Sequence, residues 1–310
     1  MRWVTYADAS VHDRVGVVQD GAIHALQYGV TLLDLLDSPD GLSAARDRAL
    51  SAPSEVIGLH GATLRAPLQP RSIRDHVGFL QHIRNCSARV GLTVDSGYSR
   101  VPTFYFSNIA AVIGPHDDVA ISPGSTQFDY ELEVCAVIGR TGFNIPRGEA
   151  EACIAGYMLM CDWSARDLQL KEMAMGLGPA KGKDGATTLG PMLVTPDELE
   201  SSRSKKGFDL SMTAHVNDEL VSSGRWDSID WDFADMITYA SRGTWLRPGD
   251  VIGSGTVATG CLYEHYAMAP DSFRGWLQPG DEVRLEVERL GVLTHRVVAG
   301  AVPHPLSTFY

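Results

Sequence analysis

Three acids raise the first chemical question. In Phe128-Asp129-Tyr130-Glu131-Leu132-Glu133-Val134-Cys135-Ala136-Val137-Ile138-Gly139, a strand's period of two puts Glu131, Glu133, Cys135 and Val137 on one face. Two carboxylates therefore continue a row that otherwise reads as core. Burying adjacent carboxylates without a cation is costly or forces protonation. Further along, Asp162 follows the apolar run Ile154 to Met160, so it emerges from the interior. Three oxygen donors without a His or Cys partner suit a hard divalent cation, Mg²⁺ first and Mn²⁺ or Ca²⁺ as alternatives, and disfavour zinc. The competing reading puts Glu131 and Glu133 at a wet strand end, paired with surface Lys or Arg.

A possible base stands apart from the acids. His82 lies seven residues after Asp75 in Arg74-Asp75-His76-Val77-Gly78-Phe79-Leu80-Gln81-His82-Ile83, a spacing that places both on one face if the segment is helical. An imidazole that is neutral near pH 7 can take a proton from water or from a carbon acid. The ordinary alternative is a surface histidine or a satisfied core one, and His76 is assigned to that kind.

The elements that must carry these residues are mostly strands. Strand-like runs occur at Thr103 to Phe106, Glu131 to Ile138, Pro191 to Val194, Leu210 to Val216, Val251-Ile252 and Val283 to Val287. Helices are predicted over Arg74 to Cys86, Glu149 to Ala155 and Phe233 to Ser241, the last capped by Asp232. Strands that do not alternate regularly with helices predict an α+β domain rather than a doubly wound sheet. Before it, the runs Trp3 to Tyr6 and Val15 to Val18, with a turn at Gln19-Asp20-Gly21-Ala22, predict a hairpin, and Leu32, Leu33, Leu35 and Leu36 begin a helix, with another offered by Ala44 to Leu50. With 310 residues, the chain is expected to divide into a small N-terminal α+β domain, 1–67, and a larger catalytic domain, 68–310.

Composition removes several classes of function. A hydrophobic share of 44% against 21% charged residues is that of a folded globular chain. A formal net charge of −12, with no basic tract beyond Lys205-Lys206, would repel an extended phosphate backbone, so nucleic acid is excluded as a partner. An anionic small molecule is not excluded, because a cation and a few basic groups can reverse the field locally. No run of about 18 apolar residues occurs, so no membrane partner is expected. The start, Met1 to Tyr6, lacks the apolar run of a signal peptide, and a cytoplasmic location is the expectation. Five cysteines, with no Cys-x-x-Cys pair, read as reduced core residues.

Taken in order, these segments resemble the fumarylacetoacetate hydrolase family, whose pattern is a Glu-x-Glu strand followed by Asp-x-Ser-Ala-Arg-Asp-x-Gln, here Asp162 to Gln169. The likeness continues through Leu177 to Asp184, Leu189-Gly190-Pro191, Arg247 to Thr256 and Leu277 to Val283, and covers roughly 70 to 295. It implies a strand-rich α+β fold, a mixed β-sandwich or roll like the C-terminal domain of fumarylacetoacetases, and commonly a homodimer. For the site it implies that Glu131, Glu133 and Asp162 bind the metal and that His82 activates water. Asp75 matches a further metal-binding Asp of the true fumarylacetoacetases; the alternative is a helix-start acid favoured by the dipole. Lys183 and Gln169 match residues that stabilise an enolate, and Tyr105 and Thr256 match substrate contacts. Arg166 is open between clamping a substrate carboxylate, bracing the metal ligands, and a salt bridge to Asp167 or Asp162.

The sequence departs from the family at two places. Asn85 stands where some members carry the Glu that orients the histidine, and Glu264 is the substitute, resembling a later-loop Glu of full-length fumarylacetoacetases. Met173 replaces a substrate-binding Tyr. The implied reaction is hydrolytic C–C cleavage of a small 1,3-dicarbonyl acid, acylpyruvate or fumarylacetoacetate-like, through a metal-stabilised enolate. Decarboxylation of an oxaloacetate-like 2-oxo acid and hydratase or isomerase chemistry are alternatives within the family. A catalytically silent ligand-binding protein on the same fold is the alternative outside it.

Overall fold

All seven residues of the strand Leu132–Ile138 are buried, so it needs cover on both faces. Val134, Ala136 and Ile138 pack with Met212, Ala214, Val283 and Leu285 of a second sheet. Cys135 and Val137, on the opposite face, pack with Leu32, Leu35, Ala45 and Ala49 of the helices Leu32–Asp37 and Gly41–Ser51. The first of these helices starts on a reciprocal cap, in which Thr31 accepts from the Asp34 backbone and Asp34 accepts from the Thr31 backbone.

This computed structural model describes residues 1–38, 41–88 and 97–307. Its larger sheet runs, in space, Val56–Gly58, Ala22–Ala25, Asp13–Gln19, Arg2–Ala7, Thr187–Val194, Ile154–Asp162, Leu132–Ile138, Asp250–Gly253, Ser72–His76 and Phe104–Ser107. The N-terminal strands join it through Arg2 opposite Val194 and Trp3 opposite Leu193. Asp20 and Gly21, both at positive φ, make the tight turn between Asp13–Gln19 and Ala22–Ala25. The smaller sheet runs Glu219–Arg225, Ser211–Val216, Glu282–Val287, Gly291–Val298 and Val119–Ala120. Two open sheets packed face to face, with helices on the outer face of the larger, make a strand-rich α+β fold. Among the described residues no helix is long and apolar enough to cross a membrane. All five cysteines are free, and only Cys86 is not fully buried.

Two segments differ from the helices predicted for them. Residues 74–86 are not one helix: Ser72–His76 is a strand, parallel to Asp250–Gly253 and antiparallel to Phe104–Ser107, and the helix is Leu80–Ser87. Asp75 and His82 therefore do not share a helical face, and Asp75 is not a helix-start acid. Glu149 to Ala155 likewise divides into a short helix, Arg147–Ala150, a 3₁₀ turn, Glu151–Cys153, and the first residues of the strand Ile154–Asp162. The helix Phe233–Ala240 starts where expected, with the Asp232 carboxylate accepting from the Asp235 backbone.

Candidate active site

Sheet register brings the acids together. Glu133 lies opposite Met160, two residues before Asp162, and the Asp162 backbone N–H donates to the Glu131 carbonyl at 3.3 Å. Asp75 arrives from two strands away, because Asp75 is opposite Gly253 and Gly253 is opposite Cys135. The missing side chain at Gly253 matters, since a Cβ there would lie 2.4 Å from Asp75 Oδ1. Asp75, Glu131 and Glu133 are buried and each offers an oxygen within 4.8 Å of the others. Asp162 stands beside that triplet. Tyr105 links it on one side, its hydroxyl lying 2.7 Å from Asp75 Oδ2 and against Asp162 Oδ2. Lys183 links it on the other, its Nζ against Glu131 Oε2 and 2.9 Å from Asp162 Oδ2.

The charges in this cluster do not balance. Four buried carboxylates face two cations, Lys183 and Arg166, and Arg166 is shared with Asp129. Burial and the neighbouring Asp162 push the Asp75 carboxyl up to about 7. Burial and the charges of Asp75 and Glu131 hold Glu133 well above the usual carboxylate range. Glu131 goes the other way: burial pushes it up, but Lys183 and Arg166 outweigh that and hold it low. Asp75 Oδ1 and Asp162 Oδ1 are buried with no hydrogen-bond partner. Both shifts favour the protonated carboxyl, the response of acids whose charge no cation neutralises. Oxygen-only donors, unpartnered oxygens and a deficit of positive charge fit a hard divalent cation held by these residues.

Arg166 is placed against Asp129 and Glu131. Its Nε donates to Asp129 Oδ2 at 2.8 Å, its Nη1 lies 2.8 Å from Glu131 Oε1, and Nη1 also donates to Gln169 Oε1 at 3.1 Å. Among the partners that these contacts show, Glu131 belongs to the acid cluster. Asp167 accepts instead from Ser125 and Thr126. Asp129, which had no assigned role in the sequence, also accepts the backbone N–H groups of Leu262 and Tyr263 at 2.8 and 3.0 Å. It ties Arg166, and through it Glu131, to the helix Leu262–Met268.

That helix carries Glu264, which is fully buried. Its Oε1 lies 2.8 Å from His82 Nδ1, while its Oε2 accepts from Asn85 Nδ2 at 2.6 Å and from the Thr259 backbone at 2.8 Å. The His82 to Glu264 pairing expected from the sequence is present in the geometry. Asn85, read only as the absence of a Glu, helps to fix Glu264; its place one turn after His82 was the signal available. Burial opposes the charged form of His82, but the Glu264 carboxylate and the neighbouring Cys261 together outweigh it, and the imidazole is held well above its ordinary value. His76 is the contrast: burial lowers it to about 3, its Nδ1 meets the Pro102 carbonyl at 2.8 Å, and it stays neutral.

These groups open on one cavity of about 580 Å³, whose walls include His82, Tyr105, Glu133, Gln169, Lys183 and Thr256. Asp162 and Glu264 stand behind that wall. Thr256 Oγ1 and the Gly255 backbone N–H donate to Glu133 at 3.5 and 3.1 Å. Met173 lies at the cavity's outer wall and is half exposed. The arrangement sets a buried histidine-carboxylate pair and a cluster of acids lacking positive charge at one small chamber.

A family model described as the fumarylacetoacetate (FAA) hydrolase C-terminal domain matches residues 71–298. Human mitochondrial oxaloacetate tautomerase FAHD2A is 29% identical over 268 residues, 86% of this chain and 80% of that protein. The structure of a fumarylacetoacetate hydrolase from psychrophilic Exiguobacterium antarcticum superposes with a TM-score of 0.76 at 26% identity, covering 96% of this chain and 99% of that one. A maleylpyruvate hydrolase from Sphingobium sp. SYK-6, in complex with manganese(II) and pyruvate, has the same fold, with a TM-score of 0.71 at 23% identity over 97% of this chain and all of that one.

Proposed function

The chain belongs to the fumarylacetoacetate hydrolase family, and we propose that it is a divalent-cation-dependent hydrolase that cleaves a C–C bond in a small 1,3-dicarbonyl acid of the acylpyruvate type. The observation that carries this reading is the His82 to Glu264 contact at 2.8 Å on the wall of the chamber that holds the acid cluster. Glu131, Glu133 and Asp162, with Asp75, would hold the cation, Mg²⁺ first and Mn²⁺ or Ca²⁺ as alternatives. When bound, that ion supplies the Lewis acidity that makes a dicarbonyl acid prone to enolise.

The chain's own residues supply the rest. His82 Nε2 takes a proton from water, and Glu264, itself held by Asn85 and Thr259, keeps the ring oriented and stabilises the resulting imidazolium. The hydroxide so formed adds to the distal carbonyl carbon. The C–C bond then breaks with its electron pair passing to the departing 2-oxo acid as an enolate, which regains a proton from imidazolium or solvent. Lys183, buried at the chamber wall, supplies positive charge near the developing enolate, with Gln169 beside it as a hydrogen-bond donor. Thr256 borders the substrate space. Tyr105, which also borders it, has its hydroxyl engaged by Asp75 and Asp162 and is assigned to hold those acids. Arg166 is assigned to brace Glu131.

The experiment is turnover of acylpyruvates with Mg²⁺ by the wild type and His82→Ala. Loss of product release in the variant is expected, and unchanged turnover would remove the reading. A second reading is oxaloacetate tautomerisation, favoured by the likeness to FAHD2A; it needs a proton moved at carbon and no attacking water. Oxaloacetate enolisation without acylpyruvate cleavage would select it. A homodimer and a cytoplasmic location accompany the proposal. The exposed ring pair Phe143 and Trp245, 5.2 Å apart, is a surface that self-association would cover.

A further inference from the structure

Beside the acid cluster lies a second group of metal-ligating side chains of opposite character. Cys86 is one helical turn after His82, and Cys261 immediately precedes the helix that carries Glu264. A nitrogen of His82 and the two sulfurs lie within 4.8 Å of one another. Cys86 Sγ is 3.7 Å from His82 Nε2. In a tetrahedral zinc site, with Zn–S near 2.3 Å and Zn–N near 2.0 Å, neighbouring donor atoms stand about 3.6 to 3.8 Å apart. The triad therefore needs to contract by no more than about 1 Å to close on such an ion.

We propose that His82, Cys86 and Cys261 form a soft-ion site that takes Zn²⁺ or Cd²⁺, with its fourth position open to the active-site chamber. Three features point the same way. Glu264 Oε1 meets His82 Nδ1 at 2.8 Å and accepts from Cys261 Sγ at 3.7 Å, which leaves His82 Nε2, 3.7 Å from Cys86 Sγ, as the free ring nitrogen for the ion and gives the carboxylate-histidine-metal arrangement that orients a ligating imidazole. Glu264 is itself anchored by Asn85 and Thr259, so the ring is held in place before the ion arrives. Softness sorts the two sites: oxygen-only donors at the acid cluster favour Mg²⁺, whereas two thiolates and an imidazole favour Zn²⁺. Binding releases one proton from each thiol and, where the ring is charged, one from His82 Nε2, and two thiolates then balance the ion's charge. Cys86 and His82 border the chamber, so the ion can enter from it.

The consequence for turnover rests on His82 being the base: an ion on Nε2 occupies the lone pair that the base needs, so Zn²⁺ would inhibit while Mg²⁺ remains at the acids. The site itself is tested without activity. Full-length protein in saturating Mg²⁺ is titrated with Co²⁺, following the thiolate-to-cobalt charge-transfer absorption, and Zn²⁺ affinity is then measured by competition with a chromophoric chelator. We expect one equivalent of Co²⁺ to give the band, Zn²⁺ to abolish it, and Zn²⁺ affinity to fall more than about 100-fold in Cys86→Ser and in Cys261→Ser. No band in the wild type, or a band and affinity unchanged in Cys86→Ser, would overturn the site. Cys86 is half-buried, so its variant decides the matter should Cys261→Ser not fold. A band without inhibition by Zn²⁺ would leave the site standing and remove His82 as the base.

Discussion

Asp129 and the neighbouring acid cluster are equally buried, yet they solve burial differently. Asp129 accepts from Arg166 and from the Leu262 and Tyr263 backbones, so each of its oxygens has a donor. In the cluster, Asp162 Oδ1 has none, and Asp75 Oδ1 has none beyond a carboxyl proton shared with Glu133. The first arrangement is complete within the polypeptide and ties a strand end to two helix starts. The second is incomplete and asks for charge from outside. Burial alone, then, does not distinguish a structural acid from a ligand, but the count of donors reaching it does.

The sharpest way to break this comparison is to neutralise one acid of each kind. Glu133→Gln is expected to abolish detectable Mg²⁺ or Mn²⁺ binding by calorimetric titration, and turnover with it, while the cation-free protein keeps or gains stability because a neutral amide replaces a carboxyl that folding must protonate or hold charged in a buried acidic setting. Next in size, His82→Ala should lower turnover by about two to four orders of magnitude with cation affinity retained. Loss of both together would place His82 in the cation site. Asp129→Asn should leave cation affinity nearly intact but reduce urea stability by about 3 kcal/mol, because Arg166 then loses a charged partner in a buried setting. If Asp129→Asn removed the cation and Glu133→Gln removed stability, Asp129 would be the ligand and Glu133 the structural acid.

Much of the cluster was readable before the structure because the signal was local. Glu131 and Glu133 continue the row of Cys135 and Val137, and Asp162 ends an apolar run; both patterns are confined to a few consecutive residues, although the strand itself begins only at Leu132. Asp75 reads locally as a helix residue, because what makes Ser72–His76 a strand is its pairing with Asp250–Gly253, almost 180 residues away, which no local periodicity records. The same limit applies to Asp129, whose partners lie 37 and more residues distant. Asn85 reads locally as a missing Glu; its donation to Glu264 depends on two helices meeting. The strand-rich α+β fold was legible from the scarcity of helical periods, whereas the joining of the N-terminal strands to the large sheet through Trp3 and Leu193 was not.

The smallest effect separates the base from the acid that orients it. The Glu264 carboxylate stabilises the charged form of His82 against the opposing effect of burial, so the base is protonated over a wider acid range than an ordinary imidazole. Catalysis by His82 needs the neutral ring, and the rate should therefore rise with pH as that proton is lost. Glu264→Gln keeps the hydrogen-bonding shape but removes the charge. The rising limb of kcat/KM should move to lower pH in that variant, because the imidazolium has lost its stabilising partner. Its plateau should fall, since a weaker base abstracts a proton less well; a fall of about tenfold is expected. The two changes have opposite signs, so the variant approaches the wild-type rate at low pH and trails it at high pH. A lower plateau with an unmoved limb would mean that Glu264 orients the ring without setting its charge. A limb moved to higher pH would mean that a different group titrates, and the dyad would lose its place in the mechanism.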